Sequence, residues 1–60
     1  LAEHYAFSPI IEGKDAEEVM TKAETLAEKE MERIKGRSYE ILDITPVEPN
    51  KYRVTIDILR

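Results

Sequence analysis

The run DAEEVMTKAETLAEKEMERIKG, residues 15–36, constrains this chain more than any other feature. Ala16, Val19, Met20, Ala23, Leu26, Ala27, Met31 and Ile34 recur at three- and four-residue steps, which gathers them into one apolar stripe on an α-helix. Asp15, three residues ahead of Glu18, has the spacing of an N-cap with an acidic third position. Asp15, Glu17 and Glu18 also complement the positive end of the helix dipole. Arg33 and Lys35 suit the other end, and Gly36 is placed to stop the helix. Glu18 and Lys22 add a favourable i,i+4 pair. An amphipathic helix must lay its stripe on something, and the rest of the chain offers only short strands.

Those strands are legible as alternations. In LAEHYAFS, Tyr5 and Phe7 share one parity, and Ala2, His4 and Ala6 share the other. The strand is expected to stop at Pro9, which has no ladder donor. PIIEGK reads as a connection, with Gly13 supplying a permissive backbone. After the helix, SYEILDIT is a second strand, PVEPN a turn and KYRVTIDIL a third strand. The third alternates cleanly, with Tyr52, Val54, Ile56 and Ile58 inward and Arg53, Thr55 and Asp57 outward. The expected fold class is α+β: β-α-β-β, a single domain over residues 1–60, with a three-stranded antiparallel sheet and one amphipathic helix packed on one face.

The second strand breaks the pattern. In RSYEILDI, Tyr39 and Ile41 lie on one parity, and Leu42 and Ile44 on the other. A β-bulge would restore a single parity. Otherwise the strand is regular, and Leu42 and Ile44, with Leu59 of the last strand, form an apolar outer face for another subunit. Size favours the second reading. A chain of 60 residues buries only about 60% of its unfolded surface, and small domains commonly add disulfides, a metal or a partner. There is no cysteine and one histidine, so disulfides, thiolate sites and histidine-rich metal sites are excluded. Association remains, and a homo-oligomer is expected.

Net charge is −4, with no basic run, which argues against nucleic acid and against an anionic membrane surface. No apolar stretch approaches the roughly 20 residues of a membrane span. A cytoplasmic location is expected. Charged residues make up 37% of the chain, and Asn50 is its one side-chain amide, a bias shared with thermophile proteins.

Chemistry-bearing residues are few. Ser8, Ser38 and His4 are the only ingredients for nucleophilic catalysis, and their spacing does not connect them. Glu24, Glu28 and Glu32 form an i,i+4 row that reads as a solvated face rather than a cation site. No calcium-loop pattern is present. No catalytic residue and no metal are expected, and the chain is not read as an enzyme. Tyr39 is singled out because it starts a strand directly after the helix. It would either stack on a flat ligand between subunits or cap the core beside the helix end.

The strand order, the acidic amphipathic helix, the spacing in DAEEVMTKAETLAEKEMERIKGRSYEILD and the final YRVTIDIL together resemble the dodecins. These are small flavin-binding proteins that assemble into a hollow dodecamer. The resemblance implies a homo-oligomer with a flavin as cofactor and Tyr39 at the ligand position. The chain departs from that family at three points, one of them a shorter hairpin turn. EGKDAEE replaces a Gly-Thr-Ser type start to the helix, and no tryptophan stands near Ser38 and Tyr39. Tautomerases of this length also begin strand, helix, strand, but their chemistry needs an N-terminal proline. Leu1 stands here instead and Pro9 is internal, so that reading is rejected unless the mature chain begins at Pro9. The competing reading is a protein–protein interaction module, an accessory domain whose open sheet face docks on a different protein.

Overall fold

The computed structural model describes residues 3–60, so the expected outward position of Ala2 lies outside it. The order is β1 (His4–Phe7), β2 (Ile10–Glu12), α1 (Ala16–Arg33), β3 (Ser38–Glu48) and β4 (Lys51–Leu59). The α+β class and the single helix are as expected. The sheet, however, is antiparallel with four strands rather than three.

The extra strand lies in the stretch expected to be a connection. β1 and β2 both pair with β4, from His4↔Leu59 to Phe7↔Ile56 and from Ile10↔Arg53 to Glu12↔Lys51. Phe7 to Ile10 and Ile56 to Arg53 are equal steps, so the register does not change across the break. The Pro9 carbonyl accepts from the Val54 N–H at 3.0 Å, but Pro9 has no N–H to return. The proline interrupts one edge strand without redirecting it, which an edge tolerates. The same register continues outward through Gly13 N–H to the Asn50 carbonyl (3.0 Å) and Arg60 N–H to the Glu3 carbonyl (2.9 Å).

β3 forms the other edge and contains two irregularities, one between Ile41 and Asp43 and one between Pro46 and Glu48. Leu42 and Val47 are the unmatched residues. With Leu42 as a bulge, Tyr39, Ile41 and Ile44 stand opposite Ile58, Ile56 and Val54, all on the helix side. The regular strand that would have turned Ile44 outward is therefore not present. The bulge absorbs the extra residue, and burial of the inner face selects that register. Pro46 is also inside β3, opposite Tyr52. The turn is only Pro49 and Asn50, the latter at φ 64. Proline pre-sets the first turn position and asparagine tolerates the left-handed second. Two bulges, a proline and the charges of Glu40, Asp43 and Glu48 make β3 a poor template for a further strand.

Helix α1 begins as expected. Asp15 Oδ1 accepts from the Glu18 N–H at 2.9 Å, and Glu18 Oε1 accepts from the Lys14 N–H at 2.7 Å. The other end differs. Ile34 is the C-cap, and Lys35 takes the left-handed conformation at φ 58. Lys35 N–H donates to the Glu32 carbonyl (3.3 Å) and Gly36 N–H to the Met31 carbonyl (2.8 Å), the paired bonds of a Schellman motif. Gly36 is needed for space: a Cβ there would lie 2.5 Å from Ile58 Cγ2. Gly13 serves the same purpose, since its Cβ would meet Val19 Cγ2 at 2.6 Å, and neither glycine has positive φ.

The core is thin. Val19, Ala23 and Ala27 of α1 are buried against Val54, Ile56 and Ile58 of β4 and Ile11 of β2. Small residues at four-residue steps bring the helix close to the central strand. The larger Leu26, Met31 and Ile34 flank that line half-buried, with Phe7, Tyr39, Ile41, Ile44 and Tyr52 around the sheet. Ala16, at the start of the stripe, is exposed. Truncating the fully buried Ile56 to alanine would cost about 2–5 kcal/mol, enough to unfold so small a domain. No helix is long and apolar enough to cross a membrane.

Candidate functional site

The helix covers one face of the sheet. On the opposite face the register aligns His4, Leu59 and Ser38 in one row, with Ala6, Asp57 and Glu40 in the next. His4 reaches diagonally to Asp57, with Nδ1 and Oδ2 2.7 Å apart. A carboxylate oxygen accepts, so Nδ1–H is the donor of this bond. His4 is mostly exposed and Asp57 largely covered, at 62% and 18% of their side-chain surfaces. His4, Asp57, Ser38, Glu40, Leu59 and Tyr39 line a shallow cavity of about 140 Å³.

Two of the three candidate ingredients for nucleophilic chemistry therefore meet, and a carboxylate joins them. The alternation of YRVTIDIL placed Asp57 outward, but only the pairing register brings it to His4. Among the described residues, no hydrogen bond joins Ser38 to His4, so the contact that would activate a serine is missing. Ser8 lies further along the sheet, its hydroxyl 3.1 Å from that of Thr55.

Tyr39 is at the cavity's border, with its ring on the helix side against the core. Its hydroxyl points to Glu28 Oε2 at 3.5 Å, the outer limit of a hydrogen bond. Desolvation, then the charges of Glu28 and Glu24, hold the phenol above its ordinary pKa. Its ring therefore belongs to the helix face, and the residue borders the cavity without turning its aromatic surface into it. Leu59 is half-buried at the centre of the His4–Ser38 row, and Leu42 is 55% exposed on its bulge. Ile44 packs against the core from the helix side. Ile10 and Val47 are further exposed apolar residues that the alternation did not mark, and Tyr5 is also exposed.

On the helix side of the sheet, Tyr5 and Phe7 lie with ring centroids 5.6 Å apart. The Tyr5 hydroxyl donates to Glu30 Oε2 at 3.3 Å. Arg33 holds the same carboxylate with both Nε (2.6 Å) and Nη2 (2.8 Å). The hydrogen bond from Arg33 lowers the Glu30 pKa, and the carboxylate raises that of Arg33. Near the end of α1, Lys35, Arg37 and Arg60 border a cavity of about 360 Å³ with Glu3 and Ile34. Cations there complement the negative end of the helix dipole, and Arg60 is 3.6 Å from Glu3. Among the described residues, no three potential ligands from His, Cys, Asp and Glu converge on a metal site.

Compared with protein-family models, with curated proteins and with solved structures, the chain matches none. The cavity of His4, Asp57 and Ser38 has to be read on its geometry.

Proposed function

We propose that this chain is a dodecin-like homo-oligomeric binding protein, and that the His4–Asp57–Ser38 cavity is one part of a site for a small planar aromatic ligand such as a flavin. The observation that carries this reading is the cavity's size and position. It has a volume of about 140 Å³ and lies on a sheet face that, among the described residues, no element covers. Ligand sites for molecules of that class span about 300–1,000 Å³, so one chain supplies a fraction of the enclosure and a second copy supplies the rest. Leu59 and Leu42 offer apolar surface for that contact. Asp57 and His4, held together, offer the few oriented polar groups a planar heterocycle needs. The thin core supports the same reading, because association would bury surface that the lone chain leaves wet. A cytoplasmic location belongs to this proposal, as does a thermophilic source.

A fluorescence titration with riboflavin tests it. Saturable quenching is expected, weakened in Asp57→Ala and abolished in Leu59→Arg, which puts a charge at the cavity's centre. Absence of quenching at subunit concentrations that form oligomers would overturn the ligand assignment. A monomer without quenching would favour the interaction module instead.

A further inference from the structure

A larger cavity, about 460 Å³, lies at the other end of the sheet. Its row, Glu12↔Lys51, is eight residues along the ladder from His4↔Leu59, or about 26 Å. Lys14, Lys22 and Lys51 border it, together with Gly13 and the turn residues Pro49 and Asn50. The three lysines come from three different elements: the loop before α1, the second turn of α1 and the first residue of β4. The bond from Gly13 N–H to the Asn50 carbonyl ties that loop to the turn. Lys22 Nζ is held by the Glu12 carbonyl at 2.8 Å.

Among the seven described residues that line it, three are lysines and one is acidic. The chain has 13 acidic residues and nine basic ones. Arg33 and Arg60 have carboxylate partners at 2.6 and 3.6 Å. Among the described residues, none of Lys14, Lys22 and Lys51 has a carboxylate within 4.0 Å. The nearby Asp15 and Glu18 carboxylates each accept one bond from a backbone N–H at the helix start and keep their charge. Glu12 borders the cavity and Glu48 stands opposite Lys51 in the ladder, so carboxylates also stand near the three ammonium groups.

We propose that this cavity binds a small phosphate-bearing anion, with the ammonium groups of Lys14, Lys22 and Lys51 donating to its phosphate oxygens. Lysine serves such a site as a mobile point charge with three donors. Asn50 also borders the cavity, and its side-chain amide can add a neutral donor. The volume falls within the roughly 300–1,000 Å³ of small-molecule sites. The site does not depend on the planar-ligand cavity or on association.

The test is a titration of ¹⁵N-labelled protein with inorganic pyrophosphate at low ionic strength, read by amide shifts. Saturable shifts centred on Gly13, Lys14, Asn50 and Lys51 are expected. Lys14→Gln and Lys51→Gln should each weaken the apparent affinity by up to about fivefold, and added sodium chloride should weaken it further. Both substitutions lie outside the core, and an unchanged amide spectrum away from the cavity verifies the fold. Lack of saturation would overturn the proposal, as would shifts centred on Lys35, Arg37 and Arg60, or an unchanged affinity in the Lys14→Gln/Lys51→Gln double variant. Pyrophosphate has no aromatic ring, so this result and the riboflavin result are read separately.

Discussion

Ile41 and Ile44 are three residues apart in β3 yet face the same side of the sheet, opposite Ile56 and Val54. An odd step in a regular strand would put them on opposite faces. Leu42 is the residue that makes the difference.

Deleting Leu42 should therefore straighten β3 without turning Ile44 outward. Urea unfolding of the deletion variant is expected to stay within about 1 kcal/mol of the parent. Ile44→Ser, by contrast, places a hydroxyl against the core and should cost about 2 kcal/mol. A deletion variant that fails to fold would mean the bulge is not where the extra residue is absorbed.

The helix end gives an opposed pair of substitutions. Lys35 is held at positive φ, so Lys35→Gly should stabilise the domain by about 1 kcal/mol. Gly36→Ala should destabilise it by about 1–3 kcal/mol, because the new methyl collides with Ile58 Cγ2. Had Gly36 been the left-handed residue, substituting Lys35 would have gained nothing. Thermal unfolding of the two variants separates these cases.

At the other end, Asp15→Ala removes the acceptor for the Glu18 N–H. The expected loss is about 1 kcal/mol, with fraying of the first turn visible as faster amide exchange at Glu17 and Glu18.

The Glu30 carboxylate, held by Arg33 and Tyr5, has its folded pKa depressed. Its contribution to stability is complete above the ordinary glutamate pKa and is lost as pH falls through the lower folded value. An acid-range unfolding series should show this loss in the parent and a flatter profile in Glu30→Gln. Because Arg33 is mostly exposed, added salt should reduce the difference.

Local rules made much of this fold readable. Asp15 and Glu18 marked the helix start by spacing alone, and Val54, Ile56 and Ile58 marked the buried face of β4 by alternation. What escaped was set by pairing across the chain. Pro9 signals a strand end, yet the register passes through it, because β4 holds the residues on both sides. Leu42 is an apolar letter like its neighbours, and only the ladder to β4 identifies it as the unmatched one. Asp57 lies 53 residues from His4, so no spacing rule could join them. Tyr39 was noticed for its place after the helix, and its hydroxyl turned out to point back toward Glu28.

The proposed site on the outer sheet face, around His4, Asp57 and Leu59, needs another copy of the chain to complete it. Native mass spectrometry of the protein as isolated, without refolding, addresses it most directly. A symmetric homo-oligomer that releases a small aromatic ligand on activation is expected. A bare monomer across the micromolar range would contradict it.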